Sequence, residues 1–309
     1  MLLSIRPILI CAGLGLSLSL TSAAYASHTK THYRAERVAY SPHRLSLRSA
    51  SAIVQDAETG EILYGKNAST ITPIASITKL MTAMVMLDAG VDLNQDITIS
   101  TADMDTLRGT HSRLKPGATL SRDELLRLAL MSSENRAAAA LARTTYPGGI
   151  EPFLRAMNQK AQMLGMNDTR FDDATGLSSA NVASAEDLVK MVRAAHRYAL
   201  IGKYTTTTGH EVQVAGRPLA YRNTDRLVSN ERWHIGLSKT GFTNDAGHCL
   251  VLQANLAERQ VIIVLLDSWG KFSRIGDANR IKAWLEANAR PHNVGVRRAA
   301  QDSGGRVPG

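Results

Sequence analysis

From Ile74 to Leu87 the chain is apolar on nearly every side of a helical period, broken only by Ser76, Thr78, Lys79 and Thr82, with no Gly or Pro until Gly90. That pattern predicts a buried helix, not a surface one, and Pro73 marks the turn that leads into it. Ahead of it, Ala52-Ile53-Val54-Gln55-Asp56 and Glu61-Ile62-Leu63-Tyr64 flank Glu58-Thr59-Gly60, which reads as a β-hairpin. After it come a short strand at Ile97-Thr98-Ile99 and a polar loop from Thr106 to Gly117. Ser121-Arg122-Asp123-Glu124 is a capping box opening a helix with Leu125, Leu126, Leu128 and Leu130. Another helix starts near Glu134, runs through Arg143 and is stopped by Pro147-Gly148-Gly149. An amphipathic helix covers 151–164, a loop covers 171–177, and Ser184 with Asp187 opens a helix ending near Tyr198. Beyond Gly209 the period shortens to two. Glu211–Val214 alternates, and Ile235–Phe242, Leu250–Gln253 and Val261–Leu266 predict an antiparallel meander, followed by a last helix over Ser273–Asn288.

Strands at both ends with helices between them predict an α+β fold. One antiparallel sheet is flanked by helices, and a helical subdomain is inserted between its two parts. This domain spans 49–290. Residues 1–26 predict a secretory signal peptide: Arg6, an apolar stretch from Ile8 to Leu20 too short to span a bilayer, then Ala24-Tyr25-Ala26 as the cleavage site. The mature protein is thus expected in the periplasm. Residues 27–48 read as a basic flexible arm and 291–309 as a disordered tail. No later segment is long and apolar enough to cross a membrane, so no stable membrane anchor is expected. Removal of Cys11 with the signal leaves Cys249 alone, without an intramolecular disulfide, as a small buried hydrophobe.

The formal net charge of +9 favours an anionic partner. Nucleic acid is not the expected one, since the chain has no zinc-finger spacing, no basic reading helix and only 5% aromatics. No metal or cofactor is predicted. His28 and His32 lie on the solvated arm, and His210-Glu211 has Val214 where a zinc-binding helix needs its second histidine.

Candidate chemistry begins at Ser76 and Lys79. Three apart, they share one face of the first helical turn. A serine hydroxyl needs a neighbour to take its proton. Lysine does this only if its pKa falls from ~10.4 toward ~7–8, which burial and a nearby cation both favour. Two further stretches complete a set: Ser133-Glu134-Asn135 at a helix start and Lys239-Thr240-Gly241 on a strand. Ser-x-x-Lys, Ser-Asp-Asn and Lys-Thr-Gly together are the known signature of penicillin-binding proteins and class A β-lactamases; here the middle element is Ser-Glu-Asn. In this scheme Ser76 attacks a carbonyl, Lys79 accepts its proton and Ser133 passes a proton to the leaving amine. Asn135 holds Lys79 and the substrate amide, and Lys239 supplies fixed positive charge. Thr240 and Gly241 line the strand on which an extended substrate pairs. The backbone N–H groups of Ser76 and Phe242 form the oxyanion hole.

The stretches Ser-Ile-Thr-Lys-Leu-Met-Thr-Ala-Met from Ser76, Met-Ser-Ser-Glu-Asn-Arg-Ala-Ala-Ala from Met131 and Lys-Thr-Gly-Phe-Thr-Asn-Asp-Ala-Gly-His-Cys-Leu-Val from Lys239 resemble the low-molecular-weight penicillin-binding proteins. These are serine peptidases of the D-alanyl-D-alanine carboxypeptidase family, and the likeness is nearest to their endopeptidase members. The resemblance covers 49–288. It implies a β-lactamase/transpeptidase-like fold, peptidoglycan stem peptides as substrate and β-lactam antibiotics as covalent inhibitors. A class A β-lactamase would place a glutamate to activate water; Glu151-Pro152-Phe153-Leu154 comes too soon after Asn135 and is followed by Arg155. Carboxypeptidase members usually continue into a second β domain and a membrane-binding helix. Only 70 residues follow Lys239, which favours the endopeptidase expectation. A non-catalytic wall-binding protein is the reading from another class; the complete set of chemical residues argues against it.

Overall fold

The computed structural model describes residues 45–270 and 272–289. The predicted signal peptide, the tail and the arm as far as residue 44 lie outside the described residues. The elements, in chain order, begin with β1 (Ser49–Asp56), β2 (Ile62–Lys66) and β3 (Thr72–Pro73). Then come α1 (Lys79–Asp88), β4 (Asp96–Thr98), β5 (Thr119–Ser121), α2 (Arg122–Met131), α3 (Asn135–Thr145) and α4 (Ile150–Met163). β6 (Val182–Ala183), α5 (Ala185–Ala195), α6 (Ala199–Thr205), β7 (Gly209–Val214) and β8 (Arg217–Arg222) follow. β9 (His234–Thr243), β10 (Gly247–Leu256), β11 (Arg259–Ser268) and α7 (Ser273–Asn288) complete the set.

The main sheet has five antiparallel strands in the order β2-β1-β11-β10-β9. The two ends of the domain meet where β1 pairs with β11, Ser49 opposite Ser268 and Asp56 opposite Val261. The helical part, α1 to α6, is inserted between β2 and the meander, as the pattern predicts. Continuous apolar runs in β11 arise because both faces of the sheet are covered. Ile262, Val264 and Leu266 join the core shared with α1 to α6, while Val261, Ile263 and Leu265 join the core under α7 with Ala278, Ile281 and Leu285. The buried Asp277 of α7 clamps the start of the domain. Its carboxylate accepts the N–H groups of Arg48 at 2.9 Å and Ser49 at 2.7 Å, and the Ser49 hydroxyl at 2.6 Å.

Besides the short strands β3, β5 and β6, which the pattern did not single out, two elements differ from the sequence reading. The helix expected to end near Tyr198 stops at Ala195, and a separate α6 follows, capped at Tyr198. The alternating strand at 211–214 has a partner that the pattern did not reveal. β8, exposed along most of its length, pairs with β7 from Gly209↔Arg222 to Val214↔Arg217. The Ser121/Glu124 capping box forms as predicted, with Ser121 Oγ accepting from Glu124 N and the Glu124 carboxylate accepting from Ser121 N. Among the described residues no helix is long and apolar enough to cross a membrane.

Candidate active site

Ser76 sits on a 3-10 turn, Ala75–Thr78, that runs directly into α1. Its hydroxyl and the Lys79 ammonium group therefore lie one turn apart, 2.8 Å from each other. The turn is held in a costly shape. Ala75 has φ of 47°, in the left-handed region that disfavours a side chain. The loop after α4 clamps it. Thr78 donates its hydroxyl proton to Ala75 O at 2.8 Å, the buried Asn181 donates to Thr78 Oγ1 at 2.9 Å, and Asn181 O accepts from Ile74 N at 3.0 Å. Gly176 lies so close that a Cβ there would sit 2.0 Å from Ala75 O and 2.8 Å from Ser76 N. From the other side a Cβ on Gly241 would fall 2.8 Å from Ile74 O and 3.3 Å from Ser76 N. Gly241 is thus needed first by the nucleophile turn; the sequence reading assigned it to substrate approach alone.

Lys79 is buried, with three oxygen partners: Ser76 Oγ at 2.8 Å, Asn135 Oδ1 at 2.7 Å and Thr175 O at 2.6 Å. The last two can only accept. A neutral amine has two N–H bonds for them and one lone pair left for the Ser76 proton. Burial draws the Lys79 ammonium down to about 8, against the opposing carboxylates of Asp173 and Glu134. The orientation of Asn135 is fixed in turn. Its Nδ2 donates to Thr110 Oγ1 at 3.1 Å, and Thr110 donates to Asp105 at 2.6 Å.

Ser133 occupies the junction of α2 and α3 with φ of 60°, a second strained residue at the site. Its Oγ lies 2.9 Å from Lys239 Nζ. Lys239 is also buried and donates to the carbonyl of Thr240 at 3.0 Å. Burial, then the neighbouring Lys79 and Arg274, pull Lys239 well below the ordinary lysine range, with Asp225 opposing. Thr240 donates to Thr224 Oγ1 at 2.6 Å. Arg274 of α7 donates to Gly241 O at 2.7 Å and Cys249 O at 3.1 Å, tying the end of β9 to β10. Phe242 is half-exposed and stacks on His248 with centroids 4.3 Å apart. β9 is an edge strand of the sheet.

The fold thus gathers Ser76, Lys79 and Asn135 into one hydrogen-bonded group and Ser133 with Lys239 into a second. Thr240, Gly241 and Phe242 follow on the flanking strand edge. Sequence reasoning missed Thr175, Gly176, Asn181 and Thr110. Thr175 contributes a backbone carbonyl, which no residue type announces. The Gly176 signal was present, a glycine closing the Asp172-Asp173-Ala174-Thr175-Gly176 loop. Asp173 is spent within that loop, accepting from Gly176 N at 2.8 Å, Asn181 Nδ2 at 2.8 Å and the Thr175 hydroxyl. Cys249 is a free, buried thiol pushed up to about 11 by burial. Among the described residues no group of His, Cys, Asp and Glu could hold a metal ion.

Residues 37–270 match the D-alanyl-D-alanine carboxypeptidase family of peptidases. The chain is 47% identical to a D-alanyl-D-alanine endopeptidase of Pseudomonas aeruginosa over 249 residues, 79% of each chain. It is 44% identical to a D-alanyl-D-alanine endopeptidase of Escherichia coli over 243 residues, 78% of each. Among solved structures, the Streptomyces K15 DD-transpeptidase superposes with a TM-score of 0.74 at 27% identity, covering 80% of this chain and all of that one. With sequence, fold and the two lysine–serine pairs pointing the same way, the chain belongs to the D-alanyl-D-alanine carboxypeptidase family and is a serine peptidase.

Proposed function

We propose that the protein is a periplasmic D,D-endopeptidase that hydrolyses D-alanyl–diaminopimelate crosslinks of peptidoglycan through an acyl-enzyme on Ser76. The observation that carries this reading is the oxygen cage of Lys79: two pure acceptors and the Ser76 hydroxyl, in a site that draws the amine to about 8. Lys79 takes the Ser76 proton as Oγ bonds to the D-alanyl carbonyl carbon. The C–N bond then breaks. The departing amine receives the proton that Lys79 took from Ser76, passed on by Ser133, whose hydroxyl the Lys239 cation holds 2.9 Å away. A carboxylate of the substrate pairs with the Lys239 cation and offsets the burial that disfavours its charge. The oxyanion meets the N–H groups of Ser76 and Phe242. Water then hydrolyses the ester. β-Lactams enter the same path and stop at the acyl-enzyme.

β9, the terminal strand of the sheet, has an edge not paired with another strand on which an extended peptide could lie, and the names of the two bacterial relatives favour the crosslink over terminal D-alanine. The basic balance of the chain suits a polymer rich in carboxylates, in a salt-dependent way. The test offers the purified protein a crosslinked muropeptide dimer and a monomeric pentapeptide at equal concentration. Dimers should be cleaved to monomers in preference. Release of terminal D-alanine alone, with dimers intact, replaces this reading with carboxypeptidase activity.

A further inference from the structure

At the edge of the sheet away from the Ser76 site, between the β1–β2 hairpin and α5, lies a cleft of about 450 Å³. None of the residues placed in the acylation chemistry lines it. The sheet fixes its distance from them. Gln55, on its wall, stands opposite Ile262, Ile262 opposite Gln253, and Gln253 opposite Leu237 of β9. Three strand spacings, about 14 Å, therefore separate the cleft from β9. Lys239 and Gly241 lie further along that strand. A ligand in the cleft leaves Ser76 free.

The floor is aliphatic, made by Ile53, Leu164 and Val189, and Ile62 of the edge strand β2 forms a wall that is 56% exposed. The rim is charged and ordered. Glu186, Lys190, Arg193 and Arg197 follow at spacings of four, three and four residues, along one face of α5 and its final turn. Lys190 is occupied by Asp187 at 2.8 Å. Arg193 donates to Gln55 Oε1 at 2.8 Å, an uncharged partner. Among the described residues neither Arg193 nor Arg197 has a carboxylate within ion-pair distance, and Glu186 has no cation. Cations near a helix C-terminus are stabilised by the backbone dipole and require no ligand. An aliphatic trough beside them, walled by an exposed isoleucine, is no part of that requirement. Hydrocarbon beneath, guanidinium groups at one end and a carboxylate at the other have the make-up of a binding site.

The occupant that fits is a short peptide bearing carboxylates, small aliphatic groups and an amine. From Glu186 to Arg193 and Arg197 the helix rises about 10 and 16 Å at ~1.5 Å per residue, and an extended tetrapeptide reaches about 13–14 Å. The volume is that of a small-ligand site, whereas a folded partner needs a face of about 800 Å². The chain's own ends are disfavoured by charge, since residues 27–48 and 290–309 each carry more Lys and Arg than Asp and Glu. We propose that the cleft is a second, non-catalytic site that holds an uncleaved stem peptide of the peptidoglycan while another stem occupies Ser76. The carboxylates of the stem meet Arg193 and Arg197, its methyl and methylene groups lie over Ile53, Ile62 and Val189, and its free amine turns to Glu186. A polymer displays many such stems, so a weak second contact raises the effective concentration of crosslinks at Ser76. The proposal rests on the peptidoglycan reading above.

The experiment closes the active site with penicillin, counts the acylated protein by mass and titrates it with a free stem tetrapeptide by calorimetry. The acylated wild-type protein should bind the tetrapeptide saturably. Arg197→Glu, at an exposed position, should weaken binding by about fivefold, and Arg193→Gln combined with Arg197→Glu by more, with smaller differences at high salt. Ile62→Ser should weaken it by about threefold. Unfolding temperatures are measured alongside. No saturable binding to the acylated protein, or binding unchanged in Arg197→Glu and in the double variant, overturns the second site, and does so even where crosslinked dimers are cleaved and the endopeptidase reading stands. Binding of a longer peptide of alternating Glu and Leu, but not of the tetrapeptide, would make the cleft a dock for an acidic protein segment and likewise overturn it. If penicillin acylates nothing, the peptidase reading falls and the second site with it.

Discussion

The surroundings of Lys79 and of Lys239 make an instructive pair. Each lysine is 1% exposed and each lies within hydrogen-bond distance of a serine hydroxyl. They differ in what else is near. Lys79 has two carbonyl-type oxygens at 2.6–2.7 Å and feels the carboxylates of Asp173 and Glu134, so burial lowers it only to about 8. Lys239 has one backbone carbonyl and two cations, Lys79 and Arg274, with Asp225 as the opposing charge. On the proposed mechanism the first is the base, its proton affinity near working pH, and the second is the cation beside Ser133. Residue type is the same; environment divides the labour.

The comparison breaks most sharply at Lys79. Arginine keeps a positive charge but cannot give up its proton, so Lys79→Arg should lower acylation by about 10²–10⁴-fold. Ser76→Ala should leave no adduct on peptide mapping after penicillin labelling. On the proposed mechanism the base is the neutral amine of Lys79. Acylation should therefore rise about tenfold per pH unit below about 8 and level off above it, because the unprotonated fraction grows as pH passes the Lys79 pKa. A rate that falls across this window would assign the proton-accepting role elsewhere.

The two glycines that press on the nucleophile turn belong to the two sides of the same comparison. Gly176, on the Lys79 side, has φ of 84° and its missing Cβ would stand 2.0 Å from a backbone oxygen. Gly241, on the Lys239 side, would place one at 2.8 Å. Gly176→Ala combines strain with overlap and should destabilise the fold by roughly 2–4 kcal/mol; Gly241→Ala should cost less. Urea unfolding of both variants checks the order. A harmless Gly176→Ala would mean that the loop after α4 is not what clamps Ser76.

Lys239 variants give a smaller effect. Lys239→Ala removes the partner of Ser133 and should slow acylation by about 10²-fold, while Lys239→Arg retains more of the rate because the cation survives. Equal loss in both would show that shape and donor position matter here more than charge.

The fold was legible where pattern and chemistry coincide. The all-round apolar helix after Pro73 and the continuous apolar runs of the meander mark segments covered on more than one side, as the two cores show. β8 was not legible, because only Leu219 and Tyr221 alternate toward the core, with Pro218 before them, and so short a pattern becomes a strand only by pairing with β7. The break between α5 and α6 likewise depends on packing at Tyr198, not on a Gly or Pro. At the site, side chains with distinctive chemistry could be read off: Ser76, Lys79, Ser133, Asn135, Lys239. Contributions made by backbone could not. Thr175 acts through its carbonyl, and the strained turn at Ala75 is held by neighbours far away in sequence.

The smallest effect is expected where the two sides are tied together across the surface. Arg108, on the loop that walls the Lys79 side, donates to Leu177 O and pairs with Asp245 in the turn after β9, on the Lys239 side. The side chains are 26% and 48% exposed, so water and salt screen the pair and its contribution should be under about 1 kcal/mol. Asp245→Asn keeps the shape of the turn and removes the charge. It should shift the unfolding temperature by a few degrees at most and change penicillin acylation by less than about threefold, with the difference vanishing in high salt. The contact to Leu177 would continue to hold Arg108 in place, which is why removing one carboxylate should leave the loop standing. A loss of a hundredfold or more in Asp245→Asn, insensitive to salt, would instead make this pair a required strap between the halves, and the two lysine environments could no longer be treated as independently built.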